Sequence, residues 1–152
     1  DGRRVRCLNI VDDFTKQCLA IEVDTSLPGK RVVNVLQRLA ESRGLPKGIT
    51  VDNGPEFVSK ALDEWAYAVG LQLRFIQPGK PQQNAYIESF NGKFRDECLN
   101  EHWFMSMRHA RQLIEEWRQD YNAQRPHSAI GYQTPDQFAD SFLTANSKCV
   151  SD

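Results

Sequence analysis

The sequence has 152 residues, 40% of them hydrophobic and 26% charged, with a formal net charge of −1. Those values suit one soluble globular domain with a real core and exclude a disordered chain. No apolar run reaches the roughly 20 residues that would span a bilayer, and a near-neutral chain does not grip nucleic acid by bulk positive charge alone.

The chain opens on Asp-Gly-Arg-Arg rather than Met, with no signal pattern, so it is expected to begin inside a longer natural protein and to work in the cytoplasm. Cysteines stand at 7, 18, 98 and 149 with no CxxC pair, which speaks against structural zinc and for reduced thiols. Val5–Val11 and Cys18–Val23 form a predicted hairpin across the turn at 12–16. Val32, Val35, Leu36, Leu39 and Ala40 recur at helical spacing up to Gly44-Leu45-Pro46. A strand over 48–51 ends at Asp52. Pro55 suits the first turn of a helix with Phe57, Ala61, Trp65 and Ala68 on its buried face. Residues 71–76 alternate like a strand, and the polar stretch 77–83 reads as a loop. A helix over about 84–99 follows. Met107, Ala110, Ile114, Trp117 and Tyr121 then step by 3, 4, 3, 4 along another. Thr134-Pro135-Asp136-Gln137 is a capping box that opens a short last helix near Phe138 and Phe142. Residues 1–143 are read as the core and 144–152 as a tail. Strands at the front, then strand and helix alternating, then helices, give a mixed α/β fold.

Asp52 stands where an apolar strand stops, the place where ligand groups gather in such sheets. On the helix that follows, Ile87, Phe90, Phe94 and Cys98 form an apolar stripe. Asn84, Glu88, Asn91 and Arg95 form a polar one, offset by about 100°, at the edge of the buried surface where a cleft would be lined. Two converging carboxylates repel unless a cation or proton lies between them. Hard oxygen ligands of this kind select Mg²⁺ or Mn²⁺, and Arg95 could hold a phosphate. The plainer alternative is that Asp52 is a turn residue before Asn-Gly, Glu88 a solvated helix residue, and the polar stripe a set of surface pairs. His127 reads as a turn or capping residue, Asp12 and Asp13 as loop residues, and the Trp and Phe positions as core.

Four stretches carry a resemblance: LNIVDDFT, VDNGPEF, FIQPGKPQQNAYIESFNGKFRDECLNEHWF and YNAQRPHSAIGYQTPDQF. With them the chain resembles the catalytic core of insertion-sequence transposases of the OrfB type, grouped with retroviral integrases in the DDE recombinase superfamily. The resemblance implies a ribonuclease H-like fold, a mixed central sheet flanked by helices, and Mg²⁺-dependent DNA strand cleavage and strand transfer with two ions in the complete site. It maps the second and third catalytic acids onto Asp52 and Glu88, with thirty-five residues between them, and implies DNA-backbone contacts at Asn84, Asn91, Lys93 and Arg95. Implied partners are transposon-end and target DNA and further copies of the chain, without a membrane. The strand bearing the first catalytic aspartate precedes LNIVDDFT in that family. The chain is therefore expected to lack its first strand and to be inactive alone, with neither Asp12 nor Asp13 filling the role. A non-catalytic DNA-binding or subunit-assembly remnant, using the 107–121 seam, is the alternative. A purely hydrolytic nuclease is a third possibility.

Overall fold

A computed structural model describes residues 5–51, 59–75 and 85–150, the last eight by backbone alone. It opens on strands β1 (Arg6–Val11) and β2 (Cys18–Asp24), which pair with one another. So short a connection permits only a hairpin. Asp12 builds the turn: its Oδ1 accepts the amides of Phe14 at 2.8 Å and Thr15 at 3.3 Å, and its carbonyl accepts that of Lys16 at 2.8 Å. Lys16 itself is left-handed, with φ 67°. Asp12 is thus a turn residue, as the sequence suggested.

Residues 22–92, with 2–8, form one compact unit, and residues from Lys93 onward, with 9–21, form another. In the first, helix α1 (Gly29–Arg43) buries Val32, Val35 and Leu36 and ends at Gly44. Gly44 has φ 84°, a conformation that favours glycine. At the other end of α1, Arg31 pairs with Glu22 at 2.6 Å and Asp24 at 3.0 Å, so the end of β2 is held to the start of the helix. Strand β3 (Gly48–Val51) leads on to helix α2 (Lys60–Val69), which packs on α1. The cap of α2 is Ser59, whose hydroxyl accepts the Leu62 amide at 3.1 Å, so the helix starts later than Pro55 implied. Its buried residues are Leu62 and Ala66 rather than Ala61 and Ala68. Trp65 is only half buried, and its indole donates to Gln37 of α1 at 2.8 Å. Strand β4 (Gln72–Phe75) runs parallel to β3, with Val51 opposite Phe75.

Helix α3 (Ala85–Phe94) continues into a wide π turn, Arg95–Leu99, closed by the Asn100 amide on the Arg95 carbonyl at 2.8 Å. A plain helix to residue 99 was expected, and the π turn is a finding of the structure. The apolar stripe survives it, with Phe90, Phe94 and Cys98 at most 2% exposed.

The second unit is built on helix α4 (Met107–Gln124), capped by Ser106. Its seam is internal to the unit: Ala110, Ile114 and Tyr121 are 1% exposed, and Trp117 packs on Phe94 with ring centroids 5.2 Å apart. Most of the seam is therefore taken up inside this unit, with Met107 alone of its five residues half-buried. Helix α5 (Pro135–Val150) starts on the expected box, realised reciprocally. The Gln137 amide donates to the Thr134 hydroxyl at 3.2 Å, and the Thr134 amide donates to the Gln137 side chain at 3.0 Å. The helix is longer than the sequence suggested and runs through the stretch read as a tail, since no Gly or Pro interrupts it after Pro135. Among the described residues, four aromatic residues assigned to the core are not there: Trp103 is 87% exposed and Phe14 55%, and Phe75 and Phe142 are exposed as well.

Candidate metal and DNA site

Asp52 and Asn84 lie outside the described residues, and so do Pro55, Phe57 and the loop 77–83. The two strand ends that flank them are described. Because β3 and β4 are parallel, the chain leaves both at the same end of the pair: from Val51 into Asp52, and from Phe75 into the stretch that reaches α3. A parallel ladder aligns the carboxyl ends of its strands, where sites in α/β folds are built.

Glu88 stands in the first turn of α3 and is exposed. No ion pair holds it among the described residues. An acid there is favoured by the positive end of the helix dipole. Its carboxylate oxygens are the hard donors that Mg²⁺ or Mn²⁺ takes, and nothing in the described structure competes for them. Among the described residues no group of three or more His, Cys, Asp or Glu side chains is gathered as a metal cluster. Asn91, Lys93 and Arg95 are likewise exposed on the same helix, while the residues between them on the apolar stripe are buried. Glu88, Asn91 and Lys93 of α3 and Arg95 of the turn that continues it are thus each exposed to solvent.

Several residues that sequence reasoning passed over prove to be anchors. Asn122 is 6% exposed. Its side chain accepts the Cys18 amide at 2.7 Å and donates to the Cys18 carbonyl at 2.9 Å, standing in for a neighbouring strand. Arg118 adds a bond to the same carbonyl at 2.9 Å. Arg125 ion-pairs with Glu97 of the π turn and lies 3.5 Å from Asp120. The Arg125 guanidinium, by hydrogen bond and by charge, holds the Glu97 carboxyl below its ordinary range, and the Trp117 indole adds to this. His127 is a turn residue by its backbone, which bridges to Gln133, and its ring packs edge-on to Tyr121 at 5.2 Å. Burial, helped by Lys93, Lys16 and Arg125, pushes its pKa down. Burial pushes the Cys18 thiol up to about 12 and the Cys98 thiol up to about 11, which leaves both as inert core residues. The YNAQRPH stretch is therefore chiefly a clamp. Its one legible sign in the sequence was the run of hydrogen-bonding residues directly after the apolar seam.

Comparison with known proteins places these features. An integrase core domain family model matches residues 1–81, and a second integrase core domain model matches residues 69–135. A 31.7 kDa protein of insertion element IS407 from Burkholderia multivorans is 62% identical over 139 residues, which cover 91% of this chain and 50% of that protein. A 39.2 kDa protein of insertion element IS476 from Xanthomonas euvesicatoria is 51% identical over 144 residues, covering 95% of this chain and 42% of that protein. The chain spans about half the length of these relatives or less. Among solved structures, the HTLV-2 integrase catalytic core domain in complex with magnesium superposes with a TM-score of 0.61 at 16% identity, covering 88% of this chain and 92% of that one. That likeness shows the fold, which is ribonuclease H-like.

Proposed function

The chain belongs to the integrase core domain family, and from that premise we propose that it is the catalytic core of a DNA transposase, an enzyme that cleaves DNA strands and joins their ends with Mg²⁺. The observation that carries the proposal is the placement of Glu88. It is an exposed acid without an ion-pair partner among the described residues, in the first turn of the helix reached from the same strand ends that lead into Asp52.

In this proposal Asp52 and Glu88 hold the divalent metal, with Mn²⁺ as a substitute for Mg²⁺. When bound, the metal pair of such a centre lowers the barrier to in-line phosphoryl transfer by stabilising the attacking and leaving oxygens. The protein's own work is positional. Asp52 follows directly on β3, whose last residue Val51 is buried, and Glu88 stands on a helix whose apolar stripe is packed; in this proposal the two carboxylates converge, and a cation between them relieves their repulsion. Lys93 and Arg95, with Asn84 and Asn91, bind the DNA backbone and hold the scissile phosphate in register. Further copies of the chain assemble on transposon ends and target DNA. The family resemblance requires a third carboxylate, which we assign to no residue of this sequence. Asp12 in particular is committed to its turn. Strand transfer by these 152 residues alone is accordingly expected to be slight.

The test replaces Glu88 by Gln and Asp52 by Asn and measures Mn²⁺ binding together with Mg²⁺-dependent nicking and joining of DNA. Each change is expected to cut metal affinity at least tenfold and remove any cleavage, while DNA binding persists. Undiminished metal binding or cleavage in Glu88→Gln refutes the assignment.

A further inference from the structure

Lys93 and Glu97 stand four residues apart along one helical segment, the spacing at which opposite charges pair on a helix surface. In the structure that pairing is not made: among the described residues no ion pair joins them. Glu97 is turned instead to Arg125, just past the end of α4. Physical chemistry favours this choice. A guanidinium offers a fork of donors that fits a carboxylate, whereas an ammonium is a strongly hydrated point charge. A lysine placed before its glutamate at this spacing is also the weaker of the two helical orientations. Lys93 is exposed, and its charge still acts on Glu97.

We propose that Arg125 is a positioning residue for DNA binding: by occupying the Glu97 carboxylate it keeps that acid from Lys93, whose ammonium stays available to a DNA phosphate. Arg125 acts through Glu97 and touches no DNA itself. The inference rests on the proposed DNA contact of Lys93.

The experiment measures the salt dependence of binding to a short mixed-sequence DNA duplex, because the slope of log affinity against log salt counts neutralised phosphates. Arg125→Gln lets Glu97 turn to Lys93, so the slope falls in magnitude by about 1 and affinity drops several-fold. Adding Glu97→Gln to that variant removes the competing acid and restores the slope. Adding Glu116→Gln instead, which removes an equal charge from the exposed face of α4, does not. A double variant as defective as Arg125→Gln alone means that Arg125 serves structure only and overturns the proposal. Equal recovery with Glu116→Gln overturns it as well, since bulk charge then explains everything. Lys93→Ala separates the underlying premise. It is expected to lower the wild-type slope by about 1 and to add nothing to Arg125→Gln. If it changes neither, Lys93 does not meet DNA and both ideas fall. Should Arg125→Gln not fold, Arg125→Lys keeps the cation and loses the fork. A smaller loss, again recovered by Glu97→Gln, is then required.

Discussion

Asn122 shows how one side chain can replace a strand. Its amide satisfies both backbone groups of Cys18 from a buried position on α4, a task that neither an aliphatic nor an acidic residue can perform. Asn122→Ala is therefore expected to destabilise the chain by about 1–3 kcal/mol, the cost of leaving buried polar groups unpaired, read as a shift in urea midpoint at unchanged slope. Acid stability follows from two kinds of residue. Burial holds the pKa of His127 below its ordinary value of 6.5, so the fold keeps the ring neutral while the unfolded chain protonates it. That contribution is complete above pH 6.5 and is lost as pH falls through the lower folded value. Glu97 and Glu115 are held below 4.5 by Arg125 and Arg118, and their contributions are lost at lower pH still. Stability should thus decline in two stages on acidification, and His127→Phe should remove the upper one. A wild-type decline with no component that begins as pH falls below 6.5 would contradict the burial of that ring.

At the scale of elements, the sequence was most legible where a period or a cap was written into it. The 107–121 seam and the capping box at Thr134 stand where residue spacing put them. Thr134→Ala removes one half of that box and is expected to cost about 1 kcal/mol of stability, with Thr134→Ser close to wild type. Helix α2 was placed less well. Its true cap, Ser59, competed with a more conspicuous Pro55, and a shift of one residue rotates the buried face from Ala61 to Leu62. The π turn at Arg95–Leu99 left no mark in the sequence, because its apolar stripe keeps the same spacing across it. Long-range polar pairs such as Asn122 with Cys18, or Arg125 with Glu97, have no period at all. They are set by how helices dock and become visible only in three dimensions. Of the proposed site, the exposure of Glu88, Asn91 and Arg95 beside the apolar stripe was legible from spacing, whereas Lys93 and the roles given to all four came from family resemblance.

For the molecule as a whole, the family is that of integrase core domains and the fold is ribonuclease H-like. The proposed function turns on one relation between distant parts of the chain: in it, the acid after β3 and the acid in the first turn of α3 share a divalent ion. The direct test is Mn²⁺ titration of the isotope-labelled chain, followed by NMR, since the ion broadens only resonances close to it. The account predicts that amides at the end of β3, about Thr50 and Val51, and at the start of α3, about Ile87 and Glu88, broaden together at one Mn²⁺ concentration, and that Glu88→Gln or Asp52→Asn abolishes both effects. Broadening at one segment without the other, or an unchanged pattern in Glu88→Gln, would contradict it.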